Sequence, residues 1–193
     1  MRERKYKKKR LPRKVYLVIC EGETEKVYVE TLRQHYRLPV TIKAKVSGNS
    51  INGRLVDQYI GELGVDKNDD YSIFYVYDAD VKSVVEKVAS LPGEMILTNP
   101  CLELWYILHA DNHSKAINSN DVIKFLKNSH PAWKNYMKGH LTSDQNSLLI
   151  ANCKDATERA KKLNWPDNPS SNIWLFIEAL ENEKSWDGVL RLE

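Results

Sequence analysis

The sequence predicts an α/β protein: a mostly parallel sheet of about four strands, flanked by helices and followed by a helical C-terminal extension. Two observations predict it. The runs VYLVIC (15–20) and SIFYVY (72–77) show no alternation of polarity, as expected of strands buried on both faces. Segments of helical spacing fall between and after such runs, so that strand and helix alternate four times, the pattern of a parallel sheet covered on both sides.

Each element has its own justification. After the first strand, Thr24 is a candidate cap for a helix whose inner face carries Val27, Tyr28, Thr31, Leu32 and His35. PVTIKAKV alternates in period two, with Val40, Ile42, Ala44 and Val46 on one side, and reads as an edge strand. SGNSING is a loop, and RLVDQYIGEL returns to helical spacing through Leu55, Tyr59, Ile60 and Leu63. The run at 72–77 ends on DAD, and a helix over about 81–90 follows with Val84, Val85 and Val88 inward. EMILTNP is the fourth strand, and Pro100 stands where a first helical residue would open CLELWYILHA. Past residue 112 the segments 121–128, 144–163 and 172–181 read as helices, with no β pattern. The expected organisation is a flexible basic arm (1–14), an α/β domain (15–112) and a helical extension packed on it (113–193).

Composition narrows the function. The chain has 193 residues and is 42% hydrophobic, enough for one ordinary core. It has no apolar run near the length of a membrane span and no signal-peptide pattern, so a cytoplasmic protein is expected. Cys20, Cys101 and Cys153 are an odd set without CxxC spacing, fitting a reducing compartment rather than a zinc site or a disulfide framework. The first fourteen residues hold nine basic side chains, among them Lys7, Lys8, Lys9 and Arg10, against Glu3 alone. That is a net +8, which leaves −5 for the rest of a chain whose total is +3. A basic arm on an acidic body suits a phosphate backbone, although it would also serve as a merely solvated start.

In a parallel sheet the carboxyl ends of the strands face one crevice. Glu21 follows the first strand, and Asp78 and Asp80 follow the third, so all three are expected to converge. Carboxylates gathered there repel one another, and a divalent cation relieves the repulsion, with Mg²⁺ or Mn²⁺ preferring such oxygen ligands. Taken singly, each acid has a plainer explanation: Glu23 and Glu25 favour a helix's first turn, and Asp is common after a strand.

EGETE after an apolar strand and DAD after a later one resemble the Toprim fold of topoisomerases, primases and OLD-type nucleases. More narrowly, ICEGETEKVYVETL, FYVYDADV, NPCLELWYILH and NPSSNIWLFIEAL, in this order over residues 19–180, resemble the RloB-like proteins of restriction loci and abortive phage infection. The resemblance implies a Toprim-like (Rossmann-like) sheet and a metal-dependent nuclease. It makes Glu21 a metal ligand or general base, Asp78 and Asp80 the metal pair, and Glu103 a fourth acid that joins the metal or orients a ligand. Gly22 would give room for a sharp turn near phosphate. Val29 departs from the aromatic often found there, a packing difference.

Other candidates are weaker. His109 and His113 have i, i+4 spacing but stand at a helix end, where capping or packing explains them better than metal ligation. Tyr136, Lys138 and His140 could reach a phosphate or act as a late acid; a solvated cluster is equally consistent with them. Lys43 and Lys45 share one strand face and could extend the arm's basic track. Trp105 and Trp174 sit at core spacing, whereas Trp133, Trp165 and Trp186 are open to base stacking. The expectation is a Mg²⁺- or Mn²⁺-dependent nuclease acting on RNA, tRNA included, or on DNA, in anti-phage defence. The alternative is a nucleic-acid or nucleotide sensing module of the same fold that does not cut. Candidate protein partners are a second copy of the chain or another part of a restriction or defence system.

Overall fold

Five strands form one sheet among the residues described by the computed structural model, which are 14–38, 40–65 and 69–190. The basic arm, with Lys7, Lys8, Lys9 and Arg10, lies outside them. The order is β2-β1-β3-β4-β5, where β1 is Lys14–Cys20, β2 Thr41–Val46, β3 Asp70–Asp78, β4 Glu94–Asn99 and β5 Ser170–Ser171. The first four are mutually parallel, and β5 is antiparallel to β4. The α/β class is as expected; β5 is a correction. Two serines paired to Thr98 and Asn99 carry no hydrophobic period for a sequence reading to detect.

Period two in the strands divides the core. Tyr16, Val18, Cys20, Phe74, Val76 and Ile96 face one cluster, against α1 (Glu23–Tyr36), α4 (Glu103–Leu108) and the C-terminal helices. Val15, Leu17, Ile19, Ile73, Tyr75, Tyr77 and Leu97 face the other, against α2 (Gly53–Glu62) and α3 (Lys82–Ala89). Both faces of β1 are thus buried, which is why its sequence does not alternate. β2 is the edge strand, with Val40 and Ile42 buried and Lys43 exposed.

Several helix details differ from the sequence reading. Gly22, not Thr24, stands at the N-cap of α1, and Glu25 supplies the capping interaction by accepting the Gly22 N–H at 2.8 Å. His35 is exposed, and Val29 takes its place on the inner face beside Tyr28 and Leu32. Pro100 precedes α4 by three residues instead of opening it. The expected helix over 144–163 is two, α6 (Ser143–Ala151) and α7 (Cys153–Ala160), parted at Asn152. Asn152 gives its side chain to the His109 carbonyl at 2.8 Å, and that bond to α4 fixes the break. The other two helices are α5 (Ser119–Ser129) and α8 (Ile173–Leu190).

α4 is buried along its whole length, which is why it is apolar on every side apart from Glu103 at its start. Trp105 donates from Nε1 to the Tyr28 hydroxyl at 2.7 Å, and Tyr106 stacks on Trp133 with centroids 5.2 Å apart. Its last carbonyls are met from the extension: Arg159 Nη1 donates to Leu108 O at 2.7 Å. Among the described residues no helix is long and apolar enough to cross a membrane.

Candidate functional site

The chain leaves β1 toward β2 on one side and later builds β3 and β4 on the other, so the carboxyl ends of β1 and β3 border a topological switch point. Here the two strands deliver their acids. The Glu21 N–H donates to Val76 O at 3.0 Å, continuing the β1–β3 ladder, and Gly48 N holds the Glu21 carbonyl at 2.9 Å. From that anchor Glu21 Oε2 accepts the backbone N–H of Asp78 at 3.0 Å. Asp78 Oδ1 in turn accepts the Leu102 N–H at 2.9 Å, which ties β3 to the turn before α4.

Two further acids arrive from helices. Glu25, one turn into α1, is 5% exposed and points back to the Gly22 N–H. Gly22 has an extended backbone that any residue can adopt; a Cβ there would lie 3.2 Å from Glu25 Oε2, a tight contact to which the carboxylate would have to yield. Glu103 at the start of α4 is 1% exposed, and its Oε1 accepts the Tyr136 hydroxyl at 2.9 Å and pairs with Lys138 Nζ at 3.4 Å. Asp80 is exposed, and its Oδ2 accepts the Ser119 hydroxyl at 2.8 Å.

Electrostatics join these acids into one unit. Burial, then the charges of Glu25 and Glu21, and Glu103 as well, push the Asp78 carboxyl up to about 9, against the opposing Leu102 N–H. Burial raises Glu21 above the ordinary carboxylate range, opposed by the Asp78 N–H and Lys138 and helped by Asp80. Glu25 is raised by burial, against its backbone donors, with Glu103 and Glu21 adding to the rise. Burial works against the charge on Lys138, yet Glu103, Cys101 and Asp78 outweigh it and hold this lysine above its usual value.

The structure therefore brings Glu21 and Asp78 together, adds Glu103 beside Asp78, and sets Asp80 within the field of Glu21. The sequence marks Glu25 only as a first-turn acid. Its position three residues after an N-cap, the spacing of a capping box, is the signal that locates it. Tyr136 and Lys138 join the acids, whereas His140 is exposed. Lys45 is paired with Glu62 and sits 5.3 Å over the Tyr59 ring. The two histidines serve packing: the His109 ring lies 4.8 Å from Trp105 and that of His113 4.6 Å from Phe125. Burial pushes His109 down to about 4, so it is neutral in the fold. Trp105 and Trp133 are core residues, and Trp165 is exposed.

The donor set is all oxygen, the chemistry that Mg²⁺ and Mn²⁺ prefer, and its surplus of negative charge suits a divalent cation. Among the described residues no group of three or more His, Cys, Asp or Glu side chains stands placed to hold a metal ion between them. One oxygen each of Glu21, Asp78, Glu25 and Glu103 is instead fixed by a protein donor.

A family model described as RloB-like protein matches residues 16–180, spanning every element that carries these acids. The chain belongs to the RloB-like family. No curated protein and no solved structure matches it. The four motifs of the RloB-like chain now have positions: EGETE at the β1–α1 turn, DAD at the end of β3, NPCLELW through the turn into α4, and NPSSN at β5. Asn172 of the last motif donates to Met95 O at 2.9 Å and accepts the Leu97 N–H at 2.6 Å, fastening β4 from beyond β5.

Proposed function

We propose that the chain is a divalent-metal-dependent nuclease of the Toprim kind, hydrolysing phosphodiester bonds of nucleic acid in defence against phage. The observation that carries the reading is the meeting of Glu21 and Asp78 at the carboxyl ends of β1 and β3, where Glu21 Oε2 accepts the Asp78 N–H at 3.0 Å and burial with the charges of Glu25, Glu21 and Glu103 raises the Asp78 carboxyl. Acids gathered in excess of the Lys138 charge that faces them bear a stability cost, an arrangement met at functional sites.

The ligands would be Glu21, Asp78 and Asp80, with Glu103 beside them. A bound Mg²⁺ or Mn²⁺ supplies Lewis-acid polarisation of the phosphate and a lowered pKa for water. The chain's own residues do the rest. Glu21, its carboxyl raised by burial, would take a proton from an attacking water, with direct ligation of the ion as its alternative role. The Leu102 N–H orients the Asp78 carboxylate, and the Tyr136 hydroxyl holds Glu103 in one rotamer. The basic arm would grip the backbone without reading sequence.

The test is cleavage of single-stranded RNA, tRNA and DNA with Mg²⁺ or Mn²⁺ and with EDTA. Cleavage should require metal, and Glu21→Gln and Asp78→Asn should each lower it by roughly 100-fold or more. Metal-loaded protein that cuts none of the three, or variants that cut like the parent, would sink the proposal.

A further inference from the structure

Of the described Lys and Arg residues, Lys138 alone forms an ion pair with any of Glu21, Glu25, Asp78, Asp80 and Glu103. The two ends of that pair are unlike. Glu103 is 1% exposed on a helix buried along its length and is also held by Tyr136, whereas the Lys138 side chain is 55% exposed. The acid is fixed and the lysine is free to leave. Lys138 stands on a surface hairpin closed by a Met137–His140 bridge, with Gly139 at φ +72° making the turn. The hairpin is fastened to the site from the other side, where Gly139 N donates to Thr24 Oγ1 at 3.1 Å. From there the ammonium acts on Glu21 and Asp78 as well as on Glu103.

We propose that Lys138 is the resident counter-ion of the acidic centre, standing against Glu103 where a divalent cation would otherwise draw the carboxylate, so that lysine and metal compete. The inference rests on the metal-dependent reading above and says what governs its affinity. Two cations a few ångströms apart repel, and a doubly charged ion outbids a single ammonium for the same acids. Once displaced, Lys138 remains at the mouth of the centre with its charge available to a substrate phosphate. Lysine would then be released to substrate only in the metal-loaded protein.

The test is isothermal titration of Mn²⁺ into the full-length, EDTA-stripped protein, using the parent, Lys138→Gln and Lys138→Arg. Competition predicts that K138Q binds Mn²⁺ roughly 10-fold more tightly than the parent, while K138R stays close to it. Mn²⁺ should also raise the Tm of K138Q by more than it raises that of the parent. If the glutamine variant misfolds, Lys138→Met makes the same change of charge. A parent that binds Mn²⁺ with K138Q binding equally or more weakly overturns this inference and leaves the nuclease reading standing. A parent that takes up no Mn²⁺ overturns both.

Discussion

Asp78 is the residue at which cost and use meet. Its carboxyl is raised to about 9 by burial and by Glu25, Glu21 and Glu103, so the metal-free fold keeps a proton that the unfolded chain gives up near pH 4. The fold therefore binds more protons than the unfolded chain between about pH 4 and pH 9, and the metal-free protein should lose stability as pH rises through that window. Asp78→Asn is neutral in the fold without taking up a proton and keeps an oxygen for the Leu102 N–H. It should stabilise the metal-free protein by on the order of 2 kcal/mol at neutral pH, roughly 4–8 °C in Tm, and flatten the pH dependence. Thermal melts of both proteins in EDTA from pH 5 to 9 check this; a variant that melts lower across the range would show Asp78 to be structural. Of the candidate residues, the meeting of Glu21 and Asp78 was legible because both stand at strand ends, whereas Glu103 was marked by the family resemblance alone. Glu25 was hidden because a first-turn glutamate has an ordinary explanation in the helix dipole.

At the scale of elements, the strands were readable wherever burial on both faces suppresses alternation, as in β1 and β3, or on one face enforces it, as in β2. What tertiary bonds decide was not readable. β5 exists because Ser171 pairs with Thr98, their hydroxyls 2.9 Å apart, and α6 ends where Asn152 turns to α4. The start of α4 was misplaced because Pro100 lies in the turn that also offers the Leu102 N–H to Asp78. The end of α4 depends on Arg159, so Arg159→Met should leave the Leu108 carbonyl without its donor and cost roughly 1–3 kcal/mol. Urea denaturation reads this directly, and an unchanged midpoint would mean that another donor replaces the guanidinium.

At the scale of the whole molecule, the helices beyond residue 112 are a wall of the core. Val122, Leu126, Leu149, Phe176 and Leu180 belong to the same buried cluster as Tyr16, Phe74 and Trp105, and β5 completes the sheet. Tyr136 and Lys138, which serve Glu103, also come from this part. A chain ending at Asn112 should accordingly fail to unfold cooperatively and should expose its apolar face, measured as loss of a sharp melting transition and gain of hydrophobic dye binding. A sharp transition from the truncated chain would make residues 14–112 a self-sufficient unit. The alternation of strands and helices in the first half told the sheet order's general type, but not that the second half closes the same core, because helical periodicity says which face is apolar and not what it will meet.

The hairpin at residues 137–140 and the acids it overlooks belong to different kinds of terrain. Glu21, Glu25, Asp78 and Glu103 are rooted in strand ends and helix starts whose neighbours are core, so their spacing can drift little without unseating the fold. Lys138 rides on a short surface excursion that insertions can lengthen or reshape at small cost. Changes in this hairpin should therefore alter the charge that faces the four carboxylates while leaving their own placement untouched.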